Sequence, residues 1–189
     1  MILSNLSILE ALRAGTLMIE GLAGLDPSKA PFNTSSVDLR LGSTLVVPGK
    51  LNEPLDLRKT YPGNHLLKNS TTLEITEDSP YLLEPYTFVL GKTIERVALP
   101  LQQNKPCFSA RVEGKSSRAR FGLAVHITAP TIHNEFSGSI TLEMMNFGPN
   151  PILLHPGVFI CQLIVEEVDK SPFTAPNQFT GQSTPVGAS

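Results

Sequence analysis

The stretch SGSITLEMMNFG, from Ser137 to Gly148, alternates with a period of two. Ile140, Leu142 and Met144 fall on one face of an extended chain, and Ser139, Thr141 and Glu143 fall on the other. That is a strand with one apolar and one polar face. The pattern recurs from Ser35 to Leu41, where Val37, Leu39 and Leu41 oppose Ser36, Asp38 and Arg40. Asp38 and Arg40 then project together, as a structural ion pair or a subunit contact. With 14 Gly and 16 Pro, turns are frequent, which favours many short strands over long helices.

Further strands are expected at 16–20, 44–47, 72–76, 81–83, 87–99, 108–112, 123–128, 151–154 and 158–168. Gly91 marks a bulge or bend in the long one. Ser4 to Ala14 reads as a short helix capped by Ser4 and ended by Gly15, with Leu6, Leu9 and Leu12 as its packing stripe. Pro48 to Ser70 reads as a long loop with a short strand. The architecture expected is mainly β: an antiparallel sandwich or distorted barrel with a few short helices.

At 189 residues the chain is long enough for one domain with a real core, placed at 1–168. Residues 169–189 form a tail rich in Pro, Gly, Ser, Thr and Gln. A net charge of −2 gives no basic field for nucleic acid, so any anion site must be local. Cys107 and Cys161 alone fit free thiols in a reducing compartment better than a disulfide framework. Glu10 and Arg13 interrupt the N-terminal segment, and no apolar run reaches about 18 residues, so neither a signal peptide nor a membrane span is expected.

EGKSSRARFG, from Glu113 to Gly122, offers anion ligands. Gly114 breaks the preceding strand, Ser116 or Ser117 can cap a short helix through Arg120, and Gly122 stops it. Two hydroxyls flanked by Lys115, Arg118 and Arg120 suit phosphate. Ser116 and Arg120, four apart, share a face. A P-loop would need Gly where Ser109 stands. Glu143, between Leu142 and Met144, is a candidate general acid/base, because desolvation favours the proton-carrying form of a carboxyl group. Gln162 lies inside VFICQLIVEEV, where a buried amide needs a partner.

Together, GKSSRARFGLAVHITA, TIHNEFSGSITLE, LLHPGVFICQLIVEEV and the tail's FTGQSTP resemble the dCTP deaminase family, within the superfamily of trimeric dUTP pyrophosphatases. The resemblance runs from about Ser35 to Pro185. It implies a dUTPase-type fold, a cytoplasmic homotrimer with sites at subunit interfaces, and metal-independent hydrolytic deamination of dCTP to dUTP and ammonia. Glu143 would take the proton from water, Ser116 and backbone groups would position that water, and Arg120 would orient Glu143 or stabilise the developing charge. Substrate contacts would come from Lys115, Ser116, Ser117, Arg118, Ala119, Arg120, His133, Thr141, Leu142, Glu143, Gln162, Phe179 and Gln182. Mg²⁺ would accompany the triphosphate; dUTP or dTTP are further possible ligands.

Two departures from the family stand out. His133 occupies the place of an Asp in a turn facing the sugar, and Gln178 occupies the place of a Lys in the tail, which the resemblance implies is flexible and folds over the bound triphosphate. Zinc nucleobase deaminases carry H-x-E and P-C-x-x-C. Pro106-Cys107 has no second Cys nearby and no H-x-E is assigned in the chain, so zinc is not expected. The alternatives are a dUTP pyrophosphatase, a bifunctional enzyme forming dUMP, and a non-catalytic nucleotide-binding regulatory trimer. Pyrophosphatases of the superfamily usually lack a Glu at the place of Glu143, which favours deamination.

Overall fold

The computed structural model describes residues 1–52, 54–56, 58, 68–172, 181 and 183–186. Its centre is the strand that the alternation marks out, β10 (Ser137–Asn146). Leu142 and Met144 are fully buried, while Thr141 and Glu143 on the other face are half-buried. Ser139 departs from the simple alternation, being buried too.

Eleven further strands are present among the described residues: β1 (Met18–Glu20), β2 (Val37–Arg40), β3 (Thr44–Pro48), β4 (Ser70–Glu74), β5 (Tyr81–Leu83), β6 (Phe88–Ala98), β7 (Cys107–Gly114), β8 (Leu123–Ala124), β9 (Thr131–Ile132), β11 (Ile152–Leu154) and β12 (Phe159–Val168). The larger sheet runs β4-β3-β6-β10-β8, with β1 also on β6. The second runs β2-β12-β7-β9, and β11 pairs with β5 in a small third sheet. All pairings are antiparallel. Both large sheets contribute to one apolar cluster, with Leu39, Leu163 and Val165 from one and Leu45, Val89, Leu142 and Met144 from the other. This is an open sandwich-like arrangement rather than a closed barrel. No helix among the described residues is long and apolar enough to cross a membrane.

The first helix, α1 (Asn5–Ala14), has the expected ends. Ser4 accepts from the Ser7 N–H, and Gly15 closes the helix at φ 66°. Of the expected stripe, Leu9 is buried and Leu12 packs partly buried against the core, and only Leu6 departs from it. Ile8, Leu9 and Ala11 are buried, whereas Leu6 points to solvent.

Gly91 is not a bulge. A Cβ there would meet Met144 Cε at 2.7 Å, so its role is to let β6 approach the β10 side chains. The irregularity lies further on, where the β6–β10 register shifts between Ser139 and Thr141 and Thr93 Oγ1 accepts from the Ile140 N–H.

Asp38 and Arg40 do not pair with each other. Arg40 Nε donates to Glu95 Oε1 at 2.7 Å and its backbone N–H donates to Glu95 Oε2 at 2.8 Å. Glu95 is fully buried, and both of its oxygens are satisfied across the two sheets. Truncating Arg40 would strand that charge, at a cost of about 3–5 kcal/mol. Asp38 is salt-bridged to Lys115 instead.

Candidate active site

The second helix, α2 (Ser116–Ala119), is a single turn entered from β7. Its N-cap is Lys115 and no side chain caps it, contrary to the expectation for Ser116 or Ser117. Both serines are exposed, and among the described residues neither hydroxyl has a hydrogen-bond partner. Arg118, Ala119 and Arg120 are exposed as well. Arg118 and Arg120 line a groove of about 590 Å³ together with Phe121, Gly148 and Ile152. The end of α2 is clamped there. A Cβ on Gly148 would lie 2.1 Å from Phe121 O, and one on Gly122 would lie 2.2 Å from Gly148 N.

β8 carries the chain from that clamp to the carboxylate. Leu123 and Ala124 pair with Asn146 and Met145 of β10. Beyond the strand, the Glu143 N–H donates to Val125 O at 3.0 Å. The Ile127 N–H donates to Glu143 Oε2 at 3.1 Å. Among the described residues, Glu143 Oε1 has no partner. One oxygen therefore fixes the carboxylate, while the other is available to a proton donor such as water.

Arg120 and Glu143 do not meet within the chain. No ion pair joins them among the described residues, and Glu143 is not part of the arginine-lined groove. Glu143 and Gly148 at that groove are five residues apart, at most roughly 17 Å along an extended chain at about 3.3 Å per residue.

Lys115 is turned to Asp38 in a short, partly buried salt bridge. Gln162 uses both ends of its amide, accepting from Ser36 Oγ at 3.0 Å and donating to Gly114 O at 3.2 Å. Asp38, Ser36 and Asn33 at this site carry no chemical motif in sequence, so their involvement appears only once β2 and β12 are paired.

Thr141 lies on the same face as Glu143, and its Oγ1 donates to Pro185 O at 3.4 Å. Lys92 Nζ donates to Ser183 O at 2.8 Å, and the Gly181 N–H donates to Ser137 O at 2.6 Å. The described end of the tail thus lies along β10. Gln178, Phe179 and Gln182 lie outside the described residues. Leu142 faces the core. His133 is exposed, in a turn that Glu135 completes at φ 65° and that Asn134 anchors to Phe108 O. His133-Asn134-Glu135 does have H-x-E spacing, which corrects the expectation that the chain lacks that half of the zinc signature. Among the described residues, no group of three or more His, Cys, Asp or Glu is arranged to hold a metal ion. His126 approaches Glu113 at 3.6 Å, outside any strand.

The family model described as dCTP deaminase-like matches residues 2–168. The dCTP deaminase of Halorubrum lacusprofundi is 36% identical over 178 residues, which is 93% of this chain and 81% of that protein. A protein of Dictyoglomus thermophilum named "dCTP deaminase, dUMP-forming" is 40% identical over 166 residues, covering 86% of this chain and 78% of the other. One of the same name from Coprothermobacter proteolyticus is 35% identical, covering 99% of this chain and 95% of the other. The crystal structure of 2'-deoxycytidine 5'-triphosphate deaminase from Agrobacterium tumefaciens matches with a TM-score of 0.62 at 23% identity. It covers 87% of this chain but 47% of that one, so this chain spans about half its length and the likeness is one of fold. By the family match and these identities, the chain belongs to the dCTP deaminase-like family.

Proposed function

We propose that the protein hydrolyses dCTP to dUTP and ammonia, in the cytoplasm, as a homotrimer. The observation that carries this reading is the Glu143 carboxylate, fixed through Oε2 by the Ile127 N–H, with Oε1 unpartnered among the described residues. Oε1 takes a proton from water as the oxygen attacks C4 of the cytosine. The proton passes to the exocyclic amine, the C4–N bond breaks, and ammonia leaves. Glu143 ends as it began, so no redox partner is needed.

The triphosphate is assigned to α2. Ser116 and Ser117 present hydroxyls without a partner among the described residues, and Arg118 and Arg120 are exposed beside them. Lys115 supplies less charge than the sequence suggests, because Asp38 offsets it. Mg²⁺ arrives with the triphosphate and offsets part of its charge.

The separation of Arg120 from Glu143 supports a site completed between copies, with α2 of one subunit facing Glu143 of another. Phe121 and Phe147, 68% and 53% exposed beside the groove, are suited to burial in such an interface.

A second reading, dUMP formation, is favoured by the names of relatives 40% and 35% identical to the chain. Ammonia release tests the deaminase reading. dCTP should yield ammonia, whereas dCMP and deoxycytidine, which lack phosphates for α2, should be poor substrates. No ammonia from dCTP, with dUTP consumed, would make the protein a pyrophosphatase.

A further inference from the structure

The peptide that enters α2 is held at both of its residues by one side-chain network. Gln162 Nε2 donates to Gly114 O at 3.2 Å, and Gln162 Oε1 accepts from Ser36 Oγ at 3.0 Å. Ser36 Oγ accepts from Asn33 Nδ2 at 3.3 Å, and the same Asn33 nitrogen donates to Asp38 Oδ1 at 2.9 Å. Asp38 Oδ2 takes the Lys115 ammonium. Gly114 and Lys115 are consecutive, so the network closes into a ring.

The protons balance around it. Asn33 spends both amide hydrogens, one each way, Ser36 both donates and accepts, and Gln162 spends its oxygen and one N–H. The backbone sets the register. β12 pairs with β2 and β7 so that Gln162 stands between Asp38 and Glu113. Ser36 is buried, Asp38 is only 7% exposed, and Gln162 is half-buried, so water competes weakly for the bonds on that side of the ring, while Asn33 closes it from the exposed side.

α2 needs such an anchor. It is one turn long, has no side-chain cap, and is exposed throughout. A single turn does not hold itself, since nucleation costs more than one turn of hydrogen bonds returns. Its far end is clamped at Gly122 and Gly148, and the ring fixes its near end.

We infer that the ring of Gln162, Ser36, Asn33 and Asp38 positions Ser116 to Arg120 for the triphosphate, and that Asn33 and Ser36 are positioning residues for substrate binding. The inference rests on the assignment of α2 to phosphate. It also accounts for Lys115 being paired rather than free.

Asn33→Ala and Ser36→Ala test it, because both cut the ring without changing charge. Asn33 is exposed, so its variant should fold even if the Ser36 variant does not. Amide hydrogen exchange at 115–120 should rise at least about tenfold in Asn33→Ala, with exchange in β10 unchanged. KM for dCTP should rise about five- to tenfold, with kcat within about twofold. A merely stabilising role would lower Tm and leave both exchange at 115–120 and KM as they were, and that result would overturn the inference. Inorganic tripolyphosphate serves as the probe if the wild type releases no ammonia from dCTP. Weaker tripolyphosphate binding by Asn33→Ala would then support the ring while the deaminase reading fails. Equal binding and equal exchange would sink the ring alone.

Discussion

The carboxylate of Glu143 and the backbone of Ile127 are joined by a 3.1 Å hydrogen bond, while the N–H of Glu143 itself reaches Val125 O. One residue thereby holds the segment after β8 by main chain and side chain together. Glu143→Gln tests whether this anchor also does chemistry. The amide oxygen can still accept from Ile127, so the fold and dCTP binding should persist. Deamination should fall by about 10²–10⁴, the usual contribution of a general acid/base. Single-turnover ammonia release measures it, and near-normal turnover would remove Glu143 from the mechanism.

Gly148 permits the contact that ends α2. Gly148→Ala would drive a Cβ to 2.1 Å from Phe121 O, a backbone atom that cannot swing aside. Overpacking of this kind costs about 1–3 kcal/mol. Gly24→Ala is the control, since its Cβ would lie 3.7 Å from Ala30 O. Thermal unfolding should separate the two variants. Equal Tm values would mean that the clamp yields freely.

Cys161 is fully buried, and burial pushes its thiol pKa well up, with the carboxylates of Glu95 and Asp38 adding to the effect and Lys115 opposing it. A thiol held protonated in the folded state contributes stability that is whole below the unfolded pKa and lost as pH rises above it. An unfolded Cys ionises near about pH 8.5. Above that pH, stability should fall by up to about 1.4 kcal/mol per pH unit from this group alone. Cys161→Ala should show a shallower slope in denaturant titrations between about pH 8.5 and 10.5. Parallel slopes would contradict the assignment.

The strands were the most legible part of the molecule. β2 and β10 follow from alternation because each has one face in a single shared core, and a period-two pattern records that directly. The α1 caps were legible for the same local reason: Ser4 and Gly15 act within a turn of where they stand. Pairing was not. Arg40 answers to Glu95 on another sheet, and Asp38 answers to Lys115, although Asp38 and Arg40 share a face in sequence. The exposure of Leu6 reflects which side of α1 meets the core, which its leucine spacing does not decide. In the candidate site, Glu143 and the α2 residues stood out by residue type. In the ring behind α2, Gln162 stood out as an amide inside an apolar strand, but Asn33 and Ser36 lie before β2 and meet it only through the folded arrangement of β2 and β12.

The tail supplies a charge test. Gln178 stands where relatives are expected to carry Lys, and the described end of the tail lies along β10 beside Thr141. A charge-assisted hydrogen bond contributes about 1.5–3 kcal/mol, so Gln178→Lys should tighten dCTP binding roughly ten- to a hundredfold. Calorimetry with the Glu143→Gln background avoids turnover during the titration. Unchanged affinity would mean that the tail does not close on the triphosphate.

The most direct measurement is anion-exchange analysis of the nucleotides formed from dCTP and Mg²⁺, with ammonia measured in the same samples. The deaminase reading predicts dUTP and ammonia in equal amounts. dUMP and pyrophosphate alongside equal ammonia would establish the dUMP-forming variant of the same chemistry. Intact dCTP and no ammonia, under conditions where dCTP demonstrably binds, would contradict it and leave a nucleotide-binding protein without this activity.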